Sequence, residues 1–354
     1  MRIAYLVWQA LHQETGVLRK IVGQLRDWTE RGQSVKLFAL SDQTAANAAL
    51  RDIEHEILPA GGAQVRVRQV RAMVDRIVDW HPDLAYFRMA AYYPPMKRLF
   101  QEVPVVVEMT TDDLAEYRQA MNPLKFTLYR SLRQNILRHA AGFACVSHEL
   151  LERLAPANKR RIVISNGILL DSITPFPAPQ NDRPHLIFAG WPEYYWNGVE
   201  AIVEAADALP DCDFTLVGYD SRDVATAPGN VSLPGRLRHA EYLAVLATAD
   251  AAIGTLALYR KQMLEACPLK VREYLAYGVP TIVGYRDVDF PNPCDFLLQL
   301  ANEEGSLRNE IDAVRQFVNA WKGRRVKQES ILAVDAKAKE SQRMAFFQSI
   351  LASG

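Results

Sequence analysis

The chain has no run of 18 apolar residues, which excludes an ordinary membrane-spanning helix. It has only four cysteines, Cys145, Cys212, Cys267 and Cys294, and no C-x-x-C pair among them. They read as reduced thiols rather than a disulfide frame or a zinc site. Charge of one sign is not in excess either, with 41 Lys and Arg against 41 Asp and Glu. No G-x-G-x-x-G fingerprint of a dinucleotide-binding turn is present, and no short internal repeat or low-complexity tract. The N-terminus enters a strand at once, without the layout of a signal peptide. A cytoplasmic protein is therefore expected.

What is present is a long alternation of strands and helices. A chain of 354 residues is long for one core and comfortable for two domains. Residues 2–8 form a buried-type strand, 17–30 an amphipathic helix and 35–40 a second strand, a β-α-β unit of a parallel sheet. Helix 65–80, strand 84–87, a helical start near 94–95, and strand 103–108 continue the pattern. In such sheets ligands gather beyond the carboxyl ends of the strands. Thr110, Thr111, Asp112 and Asp113, just past 103–108, are therefore acceptor-side candidates, with a helix N-cap as the competing reading. Residues 124–139 form a basic amphipathic helix. It reads either as a domain helix with a solvated face or as a segment lying on an anionic membrane surface. Strand 144–147, helix 148–154 and strand 161–165 close this half.

Residues 174–184 carry four prolines and read as a linker. Alternation then resumes with strand 185–189, helix 199–209, strands 214–217 and 231–237, helix 241–248 and strand 251–253. After Phe290 the pattern reads as helical to the end. Charge divides with the halves: residues 1–178 hold 23 Lys and Arg against 18 Asp and Glu, and residues 179–354 the reverse.

The most informative stretch is 264–283, LEACPLKVREYLAYGVPTIV. Pro268 suits a helix start, Gly278 a helix stop, and the β-branched run after Pro280 a strand. Glu265 then falls in the loop before the helix and Glu273 one turn inside it. The free N–H groups of a helix start favour an anion, phosphate above all. A carboxylate on either side suits hydroxyl donors. Sugar, diphosphate and ribose in a row would satisfy all three features; two solvated glutamates on an amphipathic helix are the alternative.

The two glutamates, the PLK helix start and the EYLAYGVPTIV exit resemble the signature of family 4 retaining glycosyltransferases. The resemblance implies the α/β GT-B fold, two Rossmann-like doubly wound domains facing across a cleft. On this basis 1–173 is the acceptor-side domain, 174–184 the linker, 185–329 the nucleotide-sugar domain, and 330–354 a C-terminal helix returning to the first domain. The resemblance also implies that Glu265 contacts the donor sugar and Glu273 the ribose. Thr15 and Gly16 stand where the family places a glycine loop near the donor phosphates. VSHEL and VISNGI resemble the end of the family's first domain, with Asn166-Gly167 lining the cleft.

One departure matters. Many members place an Arg and a Lys around the loop corresponding to Gly190–Gly198, and this loop contains no basic residue; Trp191 and Asn197 stand near those places. The diphosphate would then rely on the helix start at Pro268 and Leu269 and on Lys270, with Arg260 and Lys261 as weaker candidates. Arg236 falls where the family holds the base. Two D-x-D spellings, Asp211–Asp213 and Asp287–Asp289, are short enough to occur by chance, and the resemblance implies a metal-independent enzyme with no cofactor beyond its substrate.

The expected function is transfer from a nucleotide-sugar to a saccharide or lipid-linked acceptor in cell-surface polysaccharide or glycoconjugate synthesis. The expected partners include the inner membrane face, through the basic helix, and no nucleic acid. A nucleotide-sugar epimerase of the same fold and a non-catalytic sugar- or nucleotide-binding protein are the alternatives.

Overall fold

The computed structural model describes residues 1–352. The chain divides into two compact units, Met1–Ser165 together with the segment from Lys337, and Asn166–Ala336. The proline-rich stretch 174–184 lies within the second.

The first unit runs β1 (Arg2–Trp8), α1 (Gly16–Glu30), β2 (Ser34–Ser41), β3 (His55–Pro59), α2 (Ala63–Asp79), β4 (Leu84–Arg88), α3 (Met96–Glu102), β5 (Val105–Met109), α4 (Asp113–Ala120), α5 (Pro123–His139), β6 (Gly142–Cys145), α6 (His148–Leu154) and β7 (Arg160–Val163). All seven strands are parallel, in the order β3-β2-β1-β4-β5-β6-β7. Strands buried on both faces read as continuous apolar runs, which is why β1 and β5 stand out in the sequence. β3, His-Glu-Ile-Leu-Pro, lies at the sheet edge and carries polar residues, so it carries no such signal.

The second unit runs β8 (His185–Ala189), α7 (Val199–Ala208), β9 (Asp213–Val217), β10 (Val231–Gly235), α8 (His239–Thr248), β11 (Ala251–Ile253), β12 (Glu265–Ala266), α9 (Leu269–Ala276), β13 (Thr281–Val283), β14 (Arg286–Asp287), β15 (Leu297–Gln299), α10 (Ser306–Asn309) and α11 (Ile311–Trp321). Six strands form a parallel sheet, β10-β9-β8-β11-β13-β15, and β12 pairs in parallel with β14 alone. β15 corrects the expectation of helix throughout after Phe290: three residues complete the sheet edge beside β13.

α12 (Ala336–Leu351) places Met344, Phe346, Phe347 and Ile350 in the first unit's core with Ile3, Tyr5 and Trp28. It also carries buried charge there. Glu340 accepts from Trp28 Nε1 at 2.8 Å and from Gln24 Nε2 at 3.1 Å, and Arg343 Nη1 donates to the Tyr86 hydroxyl at 2.5 Å. At the carboxyl end of β5, Glu108 receives Lys20 Nζ at 2.7 Å and lies 3.5 Å from Arg88 Nη1. Burial alone would raise its pKa; the charges of Lys20, Arg88 and Arg343 outweigh burial and bring it down to about 2.

Among the described residues, no helix is long and apolar enough to cross a membrane.

Candidate functional site

The second sheet reverses its strand order between β8 and β11, and such a switch point is where doubly wound sheets open a crevice. α9 starts beside it. Pro268 is the N-cap, with extended φ and ψ of −63° and 140°, and Leu269 is the first helical residue, one position later than a proline-led start. Leu269 and Lys270 therefore occupy the first two helical positions, whose N–H groups no preceding turn can satisfy.

One face of α9 grips the end of β8. Tyr274 Oη accepts the Ala189 N–H at 2.9 Å, and Lys270 Nζ, one turn earlier, donates to the Ala189 carbonyl at 3.1 Å. Lys270 Nζ also donates to Asn197 Oδ1 at 3.2 Å and lies 4.0 Å from the centre of the Phe188 ring. Among the described residues, no carboxylate pairs with it. Desolvation, with no counter-charge to oppose it, pushes its pKa down to about 7. Lys270 as a whole is half-buried, and its ammonium sits against two neutral oxygens and an aromatic face.

Glu265 and Glu273 lie on different sides of this start, and neither is solvated. Glu265 is in the short strand β12, not a loop; its side chain is 7% exposed, and its carboxylate accepts from Arg286, its register partner on β14. Glu273 is 12% exposed; the Tyr242 hydroxyl donates to it at 3.1 Å, and His239 Nε2 stands 4.0 Å away. Nothing in the sequence signals Arg286 or Tyr242, because 21 and 31 positions separate them from their partners.

Behind the helix start, Arg272 is fully buried. It donates to both oxygens of Asp287 at 2.7 and 2.8 Å, to Asp289 at 2.7 Å, and to the Asn166 carbonyl at 3.1 Å. The second D-x-D spelling is thus the counter-charge of a guanidinium. The first is a surface feature, with Asp211 paired to Arg315. Asn166 Nδ2 donates to the Cys267 carbonyl at 2.8 Å, which ties the Asn166-Gly167 turn to the residue before Pro268. Among the described residues, no group of three or more His, Cys, Asp or Glu is arranged to hold a metal ion.

The loops after β8, β9 and β10 are knitted closely. A Cβ on Gly218, whose φ is +96°, would fall 1.9 Å from the Gly190 carbonyl oxygen, so only glycine fits. Asn197 is buried and donates to the Trp191 carbonyl at 3.1 Å as well as accepting from Lys270. It is therefore a loop strut and a partner of the ammonium at once. Arg236 lies over Trp191, its guanidinium carbon 4.6 Å from the ring centre, and pairs with Glu193. It borders an open cavity of about 610 Å³ with Pro192, Gly218, Asp220 and Gly235. Of the weaker cations, Arg260 is paired to Glu200, and Lys261 lies 4.4 Å over Trp196.

No protein-family model and no curated protein matches the chain. Solved structures do. Sucrose-phosphate synthase from Thermosynechococcus elongatus superposes with a TM-score of 0.74 at 17% identity, over 100% of both chains. A glycosyltransferase from Rickettsia africae gives 0.68 at 14%, over 100% of this chain and 99% of that one. Anabaena HepE, solved with UDP and glucose, gives 0.59 at 14%, over 99% and 98%. The chain has the GT-B fold.

The other candidates belong to the first unit of this GT-B chain. Gly16 opens α1 behind Thr15, whose side chain caps the helix by accepting from Leu18 N. Thr110 follows β5 and is half-buried. Thr111 donates to Glu116 at 2.6 Å. Asp112 caps α4 through Ala115 N at 2.9 Å and pairs with Arg153. Asp113 is turned inward, bidentate to Arg133 at 2.7 and 2.9 Å and bonded to the Tyr129 hydroxyl. Asp112 thus caps α4 and ties it to α6, while Asp113, the first residue of α4, ties that helix to α5.

Proposed function

We propose that the chain is a retaining, metal-independent glycosyltransferase that moves a sugar from a nucleotide-sugar to a saccharide or lipid-linked acceptor, in the synthesis of cell-surface polysaccharide or glycoconjugate. The observation that carries this reading is the Lys270 ammonium, enclosed at the start of α9 without a carboxylate partner among the described residues. A buried charge is costly unless paired, and a diphosphate seated on the helix start supplies the missing charge. Glu265 and Glu273, on either side, are acceptors for the hydroxyls of a sugar and a ribose.

In this reading Glu265 orients the sugar. Lys270, with the Leu269 and Lys270 N–H groups that Pro268 leaves exposed, holds the diphosphate. Glu273 holds the ribose, Asn197 aims Lys270, and Arg236 offers a planar face to the base. Gly16 enters only through the family resemblance, and the group from Thr110 to Asp113 only through its place beyond the carboxyl end of β5. Retention follows if the acceptor hydroxyl attacks from the side on which the diphosphate leaves. The bond from the anomeric carbon to the phosphate oxygen breaks, the bond to the acceptor oxygen forms, and the departing diphosphate takes the acceptor's proton. The protein's part is positioning and stabilisation of charge on the leaving group.

A thermal-shift panel of nucleoside diphosphates and nucleotide-sugars tests the reading, since a ligand selective for the folded state raises its melting point. At least one diphosphate should do so, and the corresponding donor should yield a product that keeps the anomeric configuration. A panel without any shift contradicts the proposal. An isomerised sugar from donor alone would indicate an epimerase, and binding without turnover of any donor would indicate a non-catalytic protein.

A further inference from the structure

α5 has the wrong outward face for a helix that simply meets water. Leu124 is 81% exposed and Leu128 58%, one turn apart on the same side of the helix. Its inward side is Tyr129, Arg133 and Ile136. At about 100° per residue, Lys125 and Arg130 fall on opposite flanks of the two leucines. Arg138 is also exposed near the end of the helix, and Arg118, on α4, lies 5.5 Å over Phe126 of α5.

The charge is of one sign. No Asp or Glu stands between Arg118 and His139. The nearby acids on packed elements are engaged elsewhere: Asp113 on Arg133, Glu102 on Arg98, and Glu116 with the Thr111 hydroxyl. Among the described residues, Lys125, Arg130, Arg138 and Arg118 have no carboxylate partner. Two exposed leucines framed by unpaired cations match the boundary of an anionic bilayer, where apolar side chains enter the acyl edge and Lys or Arg meet lipid phosphates.

We propose that the outward face of α5, centred on Leu124 and Leu128, docks the protein on an anionic lipid surface. The proposal is independent of the donor chemistry assigned to the second unit, and vesicle binding reports on it without any donor present.

The test is co-sedimentation of the full chain with phosphatidylcholine–phosphatidylglycerol vesicles and with phosphatidylcholine alone. Binding is expected to the mixed vesicles only, and to weaken with added salt. Leu124→Glu with Leu128→Glu, and separately Lys125→Glu with Arg130→Glu, should each lower partitioning by about tenfold or more. All four positions are on the surface, and thermal melts of the variants check that they remain folded. Absence of wild-type binding, or wild-type partitioning by both variants, overturns the proposal. So does a concentration-dependent dimer that the leucine variants abolish, without vesicle binding; that result assigns the face to a second copy of the chain.

Discussion

Arg286 and Glu265 are register partners on β14 and β12, and the guanidinium donates to the carboxylate. Glu265 is therefore fixed in direction before any sugar arrives, with part of its accepting capacity already used. Its role in the proposed reaction is to orient the sugar rather than to grip the nucleotide. Glu265→Ala should lower kcat by about 10- to 100-fold, the worth of a hydrogen bond to a charged group. Nucleoside diphosphate affinity should hardly change. Steady-state kinetics alongside calorimetry measure both, and unchanged turnover removes Glu265 from the reaction.

Glu273 should behave in the opposite way. It faces Tyr242 and His239 on α8, and its proposed partner is the ribose. Glu273→Ala is expected to weaken nucleotide binding by about tenfold or more, with a smaller effect on turnover at saturating donor. Unaltered affinity in a calorimetric titration would exclude the ribose role.

The enclosed ammonium predicts a pH dependence. In the free folded protein Lys270 releases its proton near pH 7, against an ordinary value of 10.5. The unfolded chain therefore binds more protons across that window, and this group makes the free protein more stable as pH rises through it. Donor binding runs the other way, because the ammonium is needed. The diphosphate of a nucleotide-sugar, esterified at both ends, has no proton to lose in this range. Its affinity should fall by about tenfold per pH unit above about 7. A flat profile from pH 7 to 9 would indicate that the ammonium does not meet the donor.

The two D-x-D spellings should differ sharply. Asp287→Ala leaves the fully buried Arg272 short of its bidentate partner and is expected to cost about 3–5 kcal/mol. Asp211→Ala breaks an exposed pair with Arg315 and should cost no more than about 1 kcal/mol. Urea denaturation of both variants checks the contrast, and similar costs would contradict it.

In the first unit, Glu108 is held ionised down to about 2. Its stabilising contribution is present above its ordinary value of 4.5 and is lost as pH falls from there toward 2. Lys20→Met removes its closest cation, and the destabilisation should be larger at pH 7 than at pH 3. Thermal melts across that range measure this; an equal loss at both ends would show that the Lys20–Glu108 pair carries no linked stability.

How much of this was legible in the chain depended on where each signal was stored. β1, β5, β8 and β11 are short apolar runs between turn residues, and local pattern revealed them. β12, with two residues, and β15, with three, are strands only because a neighbour fixes them, and no local pattern contains that neighbour. The same holds for side chains. Glu265, Lys270 and Glu273 lie within one short motif and could be read together. The partners that define their geometry, Arg286, Tyr242, Asn197 and Ala189, arrive from other strands and loops. The charges around Glu108 are more remote still: Lys20 lies 88 positions away in sequence. Asp112 and Asp113 show the converse, attractive residue types beyond a strand whose carboxylates are engaged with α4, α5 and α6.

The most direct measurement is a calorimetric titration of the wild type and of Lys270→Met with the nucleotide that gives the largest thermal shift. The account predicts a loss of about 10- to 100-fold in affinity. It also predicts that the free variant is at least as stable as the wild type, since an unpaired enclosed charge has been removed. Equal affinities for the two proteins would contradict the assignment of the diphosphate to the start of α9.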